Sequence, residues 1–135
     1  MKSLRFADVR EGDELPVLDV PITTTAIVAG AIASRDYQDV HHDAELARQR
    51  GSKDVFMNIL TTNGYVGRFV TDWAGPEATL KKVAIRLGAP NYPGDTMHMT
   101  GQVTSTAGGH VEVAVRGANS LGDHVVGTVT LALPS

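Results

Sequence analysis

The hydrophobic pattern changes its period part-way along the chain. Over residues 13–22 apolar and polar positions alternate around Pro16 and Pro21, which predicts an edge strand or an extended arm, since proline cannot donate to an interior ladder. Thr23, Thr24 and Thr25 then offer N-cap hydroxyls ahead of an apolar run over residues 26–33. That run fits a short packed helix or a buried strand, and its alanines favour the helix. Residues 35–42 show no period and read as a loop; Asp43 can cap a short helix that Gly51 ends. The longest helical stretch is 58–73, where Ile59, Leu60, Tyr65, Val66, Phe69, Val70 and Trp73 fall close to helical spacing. Thr61, Thr62, Gly64 and Gly67 lie among them, so another backbone can approach closely, and Gly75-Pro76 stops the helix. Period two then takes over: 79–87, 96–104, 110–118 and 124–133 read as strands, the last three rich in Val and Thr. The gaps 89–94, 108–109 and 119–123 carry turn residues and imply antiparallel hairpins.

The element order is thus strand, helices, one long helix, then an antiparallel meander. This predicts an α+β layer arrangement with a curved sheet of about five strands wrapped around the central helix, the hotdog arrangement. Such a sheet leaves an edge that a second copy can extend, so a dimer is expected.

Composition narrows the function classes. The 135 residues fit one domain over 1–135, with hydrophobic residues at 42% and charged residues at 20%. Fifteen Asp plus Glu against 12 Lys plus Arg leave a formal charge of −3, with no basic cluster interleaved with aromatics, which argues against nucleic-acid binding. No apolar run approaches the ~18–20 residues that span a bilayer. The first residues reach an acid too soon for a signal peptide. With no cysteine there is no disulfide, thiolate nucleophile or Cys-ligated metal, and a cytoplasmic protein is expected. Aromatics at 5% and 14 glycines imply an aliphatic core with closely approached backbones.

Chemistry concentrates in Asp36-Tyr37-Gln38-Asp39-Val40-His41-His42-Asp43. Three readings compete there. Metal binding has competent ligand types but no spaced ligand set, and neighbouring His41 and His42 point apart in an extended loop. A solvated loop capping the next helix is the plain structural reading, and Asp43 fits it. General acid–base catalysis by one Asp and one His is the third. Water addition to a polarised double bond needs such a pair, together with donors for an enolate-like oxygen, which the N-terminus of the long helix near Met57, Asn58 and Ile59 can supply.

The stretch Asp36-x-x-x-x-His41-x-Asp43 resembles the Asp-x-Asn-Pro-x-His-x-Asp signature of MaoC-like (R)-specific enoyl-CoA hydratases. Gln38 and Asp39 replace the Asn-Pro pair, and Met57-Asn58 stands where that family opens its hotdog helix with His-Gly. The blocks 35–43, 51–54, 58–61, 70–76 and 121–125 are similar to those of one group within it, the small MaoC-like subunits of actinobacterial steroid side-chain enoyl-CoA hydratases. The resemblance implies a catalytic pair of Asp36 and His41 holding and activating a water, with Asn58, and beside it Met57, donating to the thioester oxygen. It also implies a CoA-thioester substrate, a larger MaoC-like partner subunit, an associated lipid-transfer-protein-like aldolase, and no metal or cofactor. Lys81, Lys82 and Arg86 could then meet CoA phosphates, or form a solvated strand face. Two rival readings are a hotdog thioesterase and a non-catalytic scaffold subunit. Tyr65 and Trp73 are expected in the core, His98 and His124 on polar or hydrogen-bonded strand positions, His110 at an exposed turn, and Asp72 at an interface hydrogen bond.

Overall fold

The computed structural model describes residues 2–135. Its elements are β1 (Leu18–Pro21), α1 (Thr24–Ala33), α2 (Ala44–Gln49), α3 (Ile59–Ala74), β2 (Thr79–Leu87), β3 (Thr96–Ser105), β4 (Val111–Asn119) and β5 (Gly122–Ala132). The Thr23 hydroxyl accepts from the Ala26 amide at 3.0 Å and starts α1 as a helix. Gly75, at φ 91° and ψ 174°, takes an extended positive-φ conformation open to glycine and ends α3. No helix among the described residues is long and apolar enough to cross a membrane.

The five strands form one antiparallel sheet in the order β1-β3-β4-β5-β2, and α3 packs on it in the hotdog manner. One expectation fails here. β3, β4 and β5 are a meander, but β2 and β3 are not a hairpin: β2 pairs with β5 at the far edge. The chain after β2 is not a turn but a strap across the ends of β5 and β4. Its amides at Gly88 and Ala89 donate to the His124 and Asp123 carbonyls at 2.7 and 2.8 Å. Asn119 Nδ2 then donates to the Pro90 carbonyl at 2.9 Å and to Asn91 Oδ1 at 2.8 Å. These bonds outweigh the turn-forming residues of the segment.

The core is aliphatic, as composition implied. Alternate residues of β4 (Val111, Val113, Val115) meet Val66, Phe69 and Val70 of α3 and the methionines Met97 and Met99 of β3. Tyr65 and Trp73 are partly buried against that cluster. His110 is exposed, and Asp72 pairs with Arg68 one turn away on its own helix at 3.3 Å, which leaves it engaged within α3. His98 is exposed and meets Asp19 of the neighbouring strand.

Helix α1 crosses α3 where Gly30 faces Thr61. A Cβ on Gly30 would stand 2.2 Å from Thr61 Oγ1. Gly30→Ala is therefore expected to push the helices apart and cost about 1–3 kcal/mol, read as a lower urea midpoint. An unchanged midpoint would show that the helices are not so closely held.

Candidate active site

The way α1 ends sets the site. Ser34 is its C-cap, and the next residue, Arg35, adopts φ 54°. The Arg35 amide donates to the Ile32 carbonyl at 3.0 Å and the Asp36 amide to the Ala31 carbonyl at 2.9 Å. This is a Schellman turn with arginine in the place usually given to glycine, at a cost of about 1 kcal/mol. The turn delivers Asp36 directly off the helix end. The chain then makes a short 3₁₀ turn, Asp39–His41, and Asp43 caps α2 by accepting from the Glu45 and Leu46 amides at 3.0 and 3.1 Å. Asp43 is thus a cap, as its plain reading had it.

Asn58 meets this loop from the other side. It is the N-cap of α3 and is 2% exposed. Its Oδ1 accepts from the Thr61 amide at 2.9 Å and the Thr61 hydroxyl at 2.6 Å. Its Nδ2 donates to Ser34 Oγ at 2.9 Å and to Asp36 Oδ2 at 3.1 Å. Asp36 Oδ1 accepts from the Gln38 amide at 3.3 Å. The Asn58 bond, more than anything else, holds the Asp36 carboxyl below the usual carboxylate range; partial burial opposes it, and the Gln38 amide adds to it, as do His41 and His42 whenever their rings are charged.

His41 Nε2 stands 3.4 Å from Asp36 Oδ2. Its Nδ1 lies 2.6 Å from the Phe56 carbonyl. A carbonyl only accepts, so Nδ1 carries the proton, and in the neutral ring Nε2 presents its lone pair towards Asp36. The Phe56 ring braces the imidazole edge-on, with centroids 4.9 Å apart. His42 goes elsewhere: its Nε2 donates to the Asp36 carbonyl at 2.7 Å, and its ring lies beside Tyr37. The adjacent histidines therefore diverge, which separates them as ligands for one metal. With the ring neutral, a carboxylate oxygen and an imidazole lone pair lie side by side, and one water beside them can donate to both.

Unpaired donors lie at the start of α3, whose N-cap Asn58 bonds Asp36. The Thr61 amide is used by the cap, but the amides of Asn58, Ile59 and Leu60 meet no acceptor among the described residues. They point from the positive end of a 16-residue helix. Met57 is different: its amide donates to the Asn91 carbonyl at 3.2 Å and its side chain is 2% exposed, so the chain itself consumes that donor. Lys81, Lys82 and Arg86 stand exposed on β2, and none is hydrogen-bonded to Asp36, His41 or Asn58. An open, mostly apolar groove of about 370 Å³ runs between α1 and α3, walled by Gly30, Ala33, Ser34, Leu60, Gly64 and Tyr65. Through Ser34 it borders the Asn58–Asp36 network.

The fold brings together Asp36, His41 and Asn58, the residues singled out in the sequence. The pattern along the chain missed the Asn58 side chain, Ser34 and the Phe56 carbonyl. An asparagine directly before a helical run is an N-cap signal, so the Asn58 side chain was open to discovery. Ser34 and Phe56 leave no such trace, because their roles come from two helix ends meeting in space.

Residues 6–124 match the family model described as MaoC like domain. The chain is 51% identical over 122 residues to the 3-oxo-4,17-pregnadiene-20-carboxyl-CoA hydratase beta subunit of Mycobacterium tuberculosis, covering 90% of this chain and 95% of that one. It superposes with a TM-score of 0.90 on a chain of the ChsH1-ChsH2 complex from Mycobacterium tuberculosis, at 50% identity over 92% of this chain and 98% of the other. The unliganded R-hydratase PhaJ1 from Pseudomonas aeruginosa gives a TM-score of 0.90 at 20% identity, over 98% and 87% of the two chains, a likeness of fold.

Removing the Asn58 amide tests the network. Asn58→Ala is expected to raise the pH at which Asp36 titrates, followed by carbon NMR of its carboxyl, and to cost about 1–2 kcal/mol as the cap is lost. An Asp36 titration identical to the wild type would show that another group sets its charge. Because the folded-state carboxyl titrates lower than in the unfolded chain, its share of stability is present above the ordinary carboxylate range and fades as pH falls through the folded value.

Proposed function

Since this chain belongs to the MaoC-like family, we propose that it is the catalytic subunit of an enoyl-CoA hydratase, with Asp36 and His41 as its water-activating pair. The observation that carries this reading is the approach of Asp36 Oδ2 to His41 Nε2, 3.4 Å apart, with the N-cap of α3 bonded to the same carboxylate and its first amides left free. A water held between Asp36 Oδ2 and His41 Nε2 donates both hydrogens to them and turns its lone pairs outward. Its oxygen bonds to the β-carbon of the unsaturated thioester while one proton passes to the pair. The electrons of the double bond move through the α-carbon to the thioester oxygen, where the Asn58 and Ile59 amides stabilise the charge. A proton from the pair then goes to the α-carbon, and the sum is the addition of one water.

The relative's name supports a steroid side-chain CoA thioester as substrate. The apolar groove beside Ser34 suits an apolar acyl group, and Lys81, Lys82 and Arg86 are our candidates for the CoA phosphates. The likeness to a chain of a two-component complex supports a larger MaoC-like partner subunit. So do Ile32, Ile59 and Leu60, large apolar side chains 49%, 49% and 50% exposed next to the site. A lipid-transfer-protein-like aldolase would take the hydrated product onward.

The test is made on the chain co-expressed with its larger subunit. Loss of enoyl-thioester absorbance without release of free thiol is expected, and Asp36→Asn or His41→Ala should each lower kcat by about 10²–10⁴-fold. Thiol release in step with turnover would make the protein a thioesterase. Full hydration by both variants would make it a scaffold.

A further inference from the structure

A second buried imidazole lies behind the site. His124, in β5, is 2% exposed. Its Nδ1 is 2.7 Å from the Ala89 carbonyl and its Nε2 is 2.8 Å from Thr62 Oγ1. The carbonyl only accepts, so Nδ1 carries a proton and Nε2 of the neutral ring accepts the Thr62 hydroxyl. That hydroxyl has one proton, and its other neighbour, the Asn58 carbonyl, is at 3.4 Å, so the proton belongs to His124. Thr62 is 0% exposed and lies in the first turn of α3, its own amide bonded to the Asn58 carbonyl at 3.2 Å.

The strap of residues 88–95 therefore holds the start of α3 on both sides of Asn58. Before Asn58, the Asn91 carbonyl takes the Met57 amide; after it, the Ala89 carbonyl fixes His124, which takes the Thr62 hydroxyl. We propose that His124 is a positioning residue, a neutral ring that sets where the Asn58 side chain and the α3 amides stand relative to Asp36 and His41. The kinetic part of this claim rests on the hydratase reading; the structural part does not.

Charging the ring would undo the arrangement. Nε2 would become a donor, the Thr62 hydroxyl would have to turn towards the Asn58 carbonyl, and a positive charge would sit behind the positive end of α3. Burial holds the ring in its neutral form, with the Ala89 carbonyl working the other way. No charged side chain among the described residues bonds to it. Asp123 beside it and Arg116 of β4 pair with each other, and Arg86 of β2 is exposed. Asp95 of the strap is engaged with Ser120, and Arg68 and Asp72 of α3 with each other.

The experiment uses the assembled hydratase with Thr62→Val, His124→Leu and His124→Gln, and the double variant Thr62→Val/His124→Leu. Thr62→Val and His124→Leu should each lower kcat about tenfold with KM within about twofold, the double variant losing no more than either alone. His124→Gln, which keeps an acceptor for Thr62, should recover most of the rate. Equal losses in the Leu and Gln variants, or an unchanged kcat in Thr62→Val, would overturn the proposal. If the wild-type complex hydrates nothing, the hydratase reading fails by itself. The positioning claim is then decided by hydrogen exchange at the Asn58 side-chain amide, which Thr62→Val should speed several-fold; unchanged exchange would overturn it.

Discussion

Asn58 can make four hydrogen bonds through its side-chain amide, and all four are made inside the protein. Two are spent on its own helix, through Thr61, and two cross to the end of α1, through Ser34 and Asp36. One buried side chain thus fixes the start of one helix, the end of another and the carboxylate between them. No smaller or apolar residue could do this without leaving a buried polar atom unmatched, and the cost of such an atom is what gives the arrangement its rigidity. The charge of Asp36 follows from the same bond.

The rest of the fold serves to bring these two helix ends together. Gly30 lets α1 approach α3 at Thr61, next to Asn58. Arg35 accepts a strained backbone so that Asp36 leaves the helix at once rather than a residue later. The Phe56 carbonyl chooses the His41 tautomer, and the residue two further on is Asn58 itself. Underneath, the core is mostly valine, isoleucine and methionine, with the phenyl ring of Phe69 buried among them. The strained Arg35 backbone and the buried His41 and Asn58 lie at the site, with Thr62, Asn91 and His124 buried behind it.

Most of the elements were legible in the sequence, because each depends on local pattern. The threonines before α1, Asp43 before α2, and the switch from helical spacing to alternation after Gly75 all act within a few residues. Strand order was not legible. Residues 89–94 have the composition of a hairpin turn, and only the bonds to His124, Asp123 and Asn119, made across the sheet, turn them into a strap. The site divided in the same way. The spacing of Asp36 and His41 is a local signal, and the resemblance rested on it. Ser34, the Phe56 carbonyl and the Thr62–His124 pair are partners across 15 to 62 positions, and no window along the chain contains them. Met57 was misjudged for the same reason, since its amide is taken by Asn91, 34 positions away.

Activation of a water at this site requires a resting pair of acceptors, a charged Asp36 and an imidazole nitrogen of His41 that bears no proton. A long-range proton–nitrogen spectrum of the His41 ring at pH 8, where an ordinary imidazole is uncharged, reads this directly. A protonated Nδ1 and a bare Nε2 are expected. A proton on Nε2 with Nδ1 bare would mean that the Phe56 carbonyl does not set the tautomer, and that the pair cannot hold a water in the way described.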